Sequence, residues 1–146
     1  MDYELVSLEE KIVVGLSATT GNNDPKMGEI IGNLWKKLYE GGVYPQIKNK
    51  VDDHAIGLYS DYAGETYCVT VGTAVSAADN PELARKIIPA GRYARFLIRG
   101  DMVQAVVAAW SAIWEMDLGR SFTGDFEEYL SPDPVNGEIA IYVALK

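Results

Sequence analysis

The sequence predicts an α+β fold: two βαββ units sharing one antiparallel sheet, with two long helices and a ligand groove between the halves. Three observations predict it. The chain has 146 residues, 48% of them hydrophobic and 23% charged, which suits one folded unit with a sizeable buried core. Two segments carry apolar residues at helical spacing, and each is flanked by β-branched, strand-like segments. The order of these elements then repeats. A unit of about 70 residues is small for independent stability, so the two halves are expected to share one sheet with both helices on one face.

Residues 3–18 (YELVSLEEKIVVGLSA) read as a strand. Asn22-Asn23-Asp24-Pro25 announces a helix, with Asp24 as N-cap and Pro25 at the first helical position. Met27, Ile30, Ile31, Leu34, Trp35, Leu38 and Tyr39 lay one stripe along that helix, and Gly41-Gly42 closes it. His54–Tyr59 and Glu65–Ser76 read as strands joined by a turn at Ala63-Gly64. In the second half, 87–98 (IIPAGRYARFLI) is strand-like, with Pro89 and Gly91 interrupting its start. Asp101 is placed to cap the next helix, with Gln104 three residues on. Val103, Val106, Val107, Trp110, Ile113 and Trp114 form its stripe. Phe126–Leu130 and Glu138–Leu145 are the closing strands, joined by the turn-rich SPDPVNG at 131–137.

The landmarks of the halves align. Trp110 and Trp114 stand 75 residues after Trp35 and Tyr39, and Tyr129 stands 70 after Tyr59. The expected pseudo-repeats are 1–77 and 86–146, within a single domain spanning 1–146.

Charge narrows the partners. Thirteen basic against 21 acidic residues give a net charge of −8, which repels nucleic-acid backbones and anionic membrane surfaces and is compatible with cationic small molecules. The N-terminus lacks the basic and apolar regions of a signal peptide, and no apolar run reaches a membrane span, so a cytoplasmic protein without direct nucleic-acid or membrane contact is expected. Cys68 and His54 are the only cysteine and histidine, which removes intramolecular disulfides, Cys/His zinc patterns and multi-histidine sites. Adjacent Asp52, Asp53 and His54 converge poorly on one ion, so no metal is expected, and His54 reads as a capping or surface residue. No P-loop or Rossmann glycine pattern appears, and no cofactor is implied. Cys68 reads as a small buried hydrophobe.

One constellation carries chemistry. In Asp125–Leu130, strand alternation puts Asp125, Glu127 and Tyr129 on one face and Phe126, Glu128 and Leu130 on the other. Trp110 and Trp114 follow the second helix's stripe towards the same space, and Tyr59 holds in the first half the position of Tyr129. A carboxylate among aromatic rings suits a lipophilic cation, the rings adding cation–π contacts of about 0.5–2 kcal/mol each. The candidate ligand-binding residues are Glu127, Tyr129, Trp110, Trp114 and Tyr59. Against this, Trp and Tyr four apart on an apolar stripe also read as core packing, for Trp35 and Tyr39 and equally for Trp110 and Trp114, and a Glu-Glu pair in a strand also reads as solvated. Two conditions attach: the acid must lie inside the slot, and the slot must not be filled by packed indoles.

A resemblance sharpens this reading. Asp2-Tyr3-Glu4-Leu5 with Val13-Val14-Gly15, then Ile56-Gly57-Leu58-Tyr59, then Ile88-Pro89-Ala90-Gly91-Arg92-Tyr93-Ala94, then Phe126-Glu127-Glu128-Tyr129 and Ile139–Val143 resemble, in order, the GyrI-like small-molecule-binding domain. That domain also serves as the effector-binding part of AraC- and MerR-type multidrug regulators. The resemblance spans the chain and implies that Glu127, the Glu of its F-E-x-Y strand, pairs with cationic or polar ligands in the groove beside Tyr129. Gly57 holds the equivalent place in the first half, so the carboxylate is one-sided. No residues are left for a DNA-reading helix-turn-helix, so a transcriptional role would need a separate regulator. Some members of the family are hydrolases, which would cast Glu127 and Tyr129 as the catalytic residues on a strained electrophilic substrate. The activity that names the family, inhibition of DNA gyrase, would instead use an exposed acidic surface.

Overall fold

The computed structural model describes residues 2–131, 133 and 135–146. Its strands are β1 (Glu4–Leu8), β2 (Lys11–Gly21), β3 (Lys50–Ala63), β4 (Thr66–Val75), β5 (Ala84–Ile88), β6 (Gly91–Gly100), β7 (Asp125–Tyr129) and β8 (Gly137–Ala144). The helices are α1 (Met27–Tyr39) and α2 (Gln104–Trp114), and a short 3-10 turn spans Tyr44–Gln46. All eight strands form one antiparallel sheet in the order β1-β6-β8-β7-β3-β4-β2-β5. The predicted α+β architecture is present, with β2-α1-β3-β4 on one side of the β3–β7 seam and β6-α2-β7-β8 on the other.

Two interruptions in the sequence shape the sheet. The strand expected over 3–18 breaks at Glu9-Glu10 into β1 and β2, and the segment 87–98 breaks at Pro89-Ala90 into β5 and β6. Each short strand then pairs with the other half: β1 with β6, and β5 with β2. In a flat sheet six strand spacings would separate β5 from β6, about 29 Å at about 4.8 Å each. The Pro89-Ala90 link reaches only about 11 Å. The sheet must curl, and it buries a core on its concave side from both ends: Val13, Ile56, Leu58, Ile88, Tyr93, Phe126 and Tyr142.

Gly15 and Gly72 permit the close crossing of β2 and β4 within that curl. They pair directly, and a β-carbon on either would lie about 2 Å from a backbone carbonyl oxygen of the facing strand, Val71 O or Val14 O. The isolated Gly15 is therefore a packing requirement.

Both helices lie on the other, convex face. Leu34 and Leu38 of α1 pack over Val14, Val69 and Val71, while Val106, Ala109 and Ile113 of α2 pack over Phe96, Ile139 and Ile141. α1 rests on β2 and β4 and α2 on β6, which leaves the central strands β3 and β7 between them.

The helix starts differ slightly from expectation. Asp24 Oδ1 accepts the Lys26 N–H at 2.8 Å and the Asp24 carbonyl accepts Met27 N–H at 3.1 Å, so Asp24 caps a tight turn containing Pro25 and regular helix begins at Met27. Asp101 does cap its helix, its Oδ1 accepting the N–H groups of Val103 and Gln104 at 2.8 Å each. The turn expected over 131–137 includes Pro132 and Pro134, which lie outside the described residues. No helix among the described residues is long and apolar enough to cross a membrane.

Candidate functional site

The seam between the halves is the pairing of β3 with β7, in which Gly57 faces Glu127, Leu58 faces Phe126 and Tyr59 faces Asp125. Alternation turns Gly57, Tyr59, Asp125, Glu127 and Tyr129 towards the helices. Glu127 therefore stands at the middle of the uncovered strip, and it is 2% exposed.

Three donors converge on its carboxylate. Tyr59 Oη donates to Oε2 at 2.8 Å, Trp110 Nε1 donates to Oε2 at 2.7 Å, and Tyr129 Oη donates to Oε1 at 3.0 Å. Both phenols come from equivalent positions in the two halves, so the acid is clamped symmetrically by elements that the duplication supplies. None of the ion pairs among the described residues involves Glu127. Burial pushes its carboxyl above the ordinary range, and the bonds from Trp110, Tyr59 and Tyr129 pull it back only in part. Charge-assisted hydrogen bonds contribute about 1.5–3 kcal/mol each, against a desolvation penalty of several kcal/mol for a buried ion. Burial, followed by the neighbouring carboxylate, holds both phenols well above their usual range, so they stay protonated donors.

Four of the five expected residues meet here: Glu127, Tyr129, Trp110 and Tyr59. Trp110 is 8% exposed, and its ring stands edge-on to Tyr59 at 5.7 Å. Trp114, one turn further along α2, is 53% exposed and makes none of these hydrogen bonds or ring contacts among the described residues. Its counterpart Tyr39 is equally exposed, so the core role expected for Tyr39 does not hold.

Trp35 goes beyond expectation. It is half-buried, packs against the core beneath α1 as expected, and also stands edge-on to Tyr129 at 5.3 Å, the mirror of the Trp110–Tyr59 contact. Its Cζ2 would lie 3.3 Å from a β-carbon placed on Gly57. Thus the first condition on the slot is met and the second is not: in this conformation two indoles close the strip over Glu127.

Beside this cluster sits a second buried acid that the sequence did not single out. Asp125 is fully buried and accepts from Arg120 Nη2 at 2.5 Å, Tyr62 Oη at 2.6 Å and the Ala144 N–H at 2.8 Å. The Arg120 guanidinium also lies 4.3 Å from the Phe122 ring centroid and 5.8 Å from that of Trp110. Asp125 has its cation in Arg120; among the described residues Glu127 has none.

A family model for Cass2, the integron-associated effector binding protein, matches residues 4–145. The chain belongs to this family. Cass2-type folds recur among its structural neighbours. The integron cassette protein VCH_CASS2 from the mobile metagenome of Vibrio cholerae is 25% identical, with 99% of this chain and 95% of that chain covered and a TM-score of 0.79. SAV2435, solved bound to tetraphenylphosphonium, is 18% identical, with 100% and 94% covered and a TM-score of 0.84. A transcription regulation protein from Staphylococcus aureus MU50 is 20% identical, with 99% of both chains covered and a TM-score of 0.76. The last two show a shared fold. No curated protein sequence matches the chain. The GyrI-like resemblance read from the motifs agrees with this Cass2 assignment.

On the concave face the structure assembles a group that adjacency in sequence had hidden. His54 lies within β3 and not before a strand; its Nδ1 stands 3.1 Å from Glu128 Oε2 on β7 and 3.7 Å from Asp52 Oδ2. Asp53, on the opposite face of β3, is not part of it.

Proposed function

We propose that this Cass2-family chain binds a lipophilic organic cation in the strip between its helices, with Glu127 as counter-charge and Tyr59, Tyr129 and Trp110 as walls. The observation that carries this is the enclosed Glu127 carboxylate, held by three uncharged donors and by no cation. An entering cation about 4 Å away would gain about 4 kcal/mol at an effective dielectric near 20, before its own desolvation. Aromatic faces add cation–π attraction without demanding one shape. The ligand seen with SAV2435, a neighbour in fold, is a cation of this class.

Access runs through Trp35. Trp110 is tied to Glu127 by its indole N–H, whereas the Trp35 indole has no hydrogen bond among the described residues and is held by ring contacts and by packing against the core beneath α1. Moving Trp35 uncovers Oε1 and the space above Gly57, so the cation is expected there while Trp110 keeps Oε2.

The test is a titration of intrinsic tryptophan fluorescence with lipophilic cationic dyes. Saturable quenching that weakens about tenfold or more in Glu127→Gln supports the reading, that factor corresponding to about 1.4 kcal/mol. Quenching of equal affinity in both proteins contradicts it.

A further inference from the structure

We propose that Asp52, His54 and Glu128 form a binding site for a divalent transition-metal ion such as Zn2+, on the concave side of the seam and separate from the strip around Glu127. Three features of the geometry converge on it. First, one ligand atom of each residue, His54 Nδ1 with a carboxylate oxygen of Asp52 and of Glu128, lies within 4.8 Å of the other two. Donors about 2.1 Å from an ion at tetrahedral or octahedral angles stand about 3.0–3.4 Å apart. Of the observed separations from His54 Nδ1, 3.1 Å lies within that range and 3.7 Å slightly above it, so small side-chain rotations suffice to close on an ion.

Second, the donors are held in place by bonds that leave the ligating atoms available. The His54 backbone N–H donates to Asp52 Oδ1 at 2.9 Å, which fixes that carboxylate and leaves Oδ2 for the ion. Thr73 Oγ1 donates to the His54 carbonyl at 2.8 Å and anchors the strand beneath the imidazole. The Glu128 side chain is only 12% exposed, and its Oε2 stands against His54 Nδ1.

Third, a cavity of about 390 Å3 opens beside Asp52 and Glu128, lined also by Glu10, Lys11 and Ser76, and gives room for the water ligands that complete the ion's coordination. One imidazole nitrogen with two carboxylate oxygens is a donor set for borderline divalent metals, and it neutralises a 2+ charge. The ion would tie β3 to β7 directly behind the Gly57–Glu127 pair.

Because His54 is the only histidine, its ring protons give an unambiguous NMR signal in the full-length protein. Zn2+ titrated at neutral pH is expected to shift these resonances to saturation at one equivalent, while Mg2+, which avoids imidazole, leaves them in place. Glu128→Gln and Asp52→Asn should each weaken Zn2+ binding about tenfold or more, and Glu29→Gln, at an exposed position on α1, should not. His54 resonances unmoved by millimolar Zn2+, an equal response to Mg2+, or unchanged affinity in Glu128→Gln would each overturn the site. The wild-type titration decides the matter even if a variant fails to fold.

Discussion

Gly57 and Glu127 occupy equivalent positions in the two halves and face each other across the β3–β7 seam, so that the missing side chain of one is the space used by the carboxylate of the other. A β-carbon on Gly57 would lie 3.0 Å from Glu127 Oε1 and 3.3 Å from Trp35 Cζ2. Both neighbours are the outer atoms of side chains, so they can yield. Gly57→Ala should cost about 1 kcal/mol of stability, at the low end of overpacking effects. It should also displace Trp35, which a shift in tryptophan emission would report, and weaken cation binding by occupying the floor of the site.

Binding by Glu127 fixes the sign of the pH dependence. The ionised acid attracts the cation and the protonated acid does not. Because burial raises its pKa, affinity should be highest at neutral pH and should begin to fall, on acidification, above the ordinary carboxylate range. Calorimetric titrations from about pH 8 to about pH 4 check this. Flat affinity across that interval contradicts the ion pair.

The same shift carries a stability consequence of opposite sense to a salt-bridged acid. A carboxyl with a raised folded-state pKa stabilises the fold below its unfolded pKa, and that contribution is lost as pH rises through the folded value. Glu127→Gln removes the charge and keeps the shape. The variant should therefore melt at least as high as wild type at pH 7, with the gap narrowing towards pH 4, while it loses cation binding. A variant much less stable than wild type at pH 7 would mean that the buried charge is a structural necessity.

Asp125, two residues away, should behave in the opposite manner. Its partners Arg120, Tyr62 and the Ala144 N–H depend on it, and breaking a buried pair by removing one partner costs about 3–5 kcal/mol. Asp125→Asn is expected to lower the denaturation midpoint sharply, whereas Glu127→Gln is not. Chemical denaturation of the two variants side by side separates the structural acid from the binding one.

The glycine crossing gives a test of the fold. Alanine at Gly15 or Gly72 drives a methyl into backbone carbonyl that has no flexible end to move. Either substitution should destabilise by about 3 kcal/mol or more, read from denaturant midpoints, which places it in the severe tail of point mutations.

Periodicity was enough to place Glu127, Tyr129, Tyr59 and Trp110 on facing surfaces, because strand alternation and helical stripes are local properties. It could not say that Tyr59 and Tyr129 would reach the same carboxylate, which depends on the Gly57–Glu127 register between strands 70 residues apart. The stripe of α1 predicts core packing for Trp35, and does not show that its ring also reaches over Gly57 at the edge of the strip. Nor did spacing reveal that Glu9-Glu10 and Pro89-Ala90 exchange short strands between halves. A two-residue link looks the same whether the chain turns back or crosses to the far edge. The pairings of Arg120 with Asp125 and of His54 with Glu128 also lie across strands or loops, where no periodic signal reaches.

The most direct measurement compares two probes of nearly one shape and opposite charge, tetraphenylphosphonium and tetraphenylborate, by calorimetry on wild type and Glu127→Gln. Wild type should prefer the cation by about tenfold or more, and the preference should vanish in the variant. Equal affinity for both ions, or a cation preference that survives the loss of the Glu127 charge, would contradict the account.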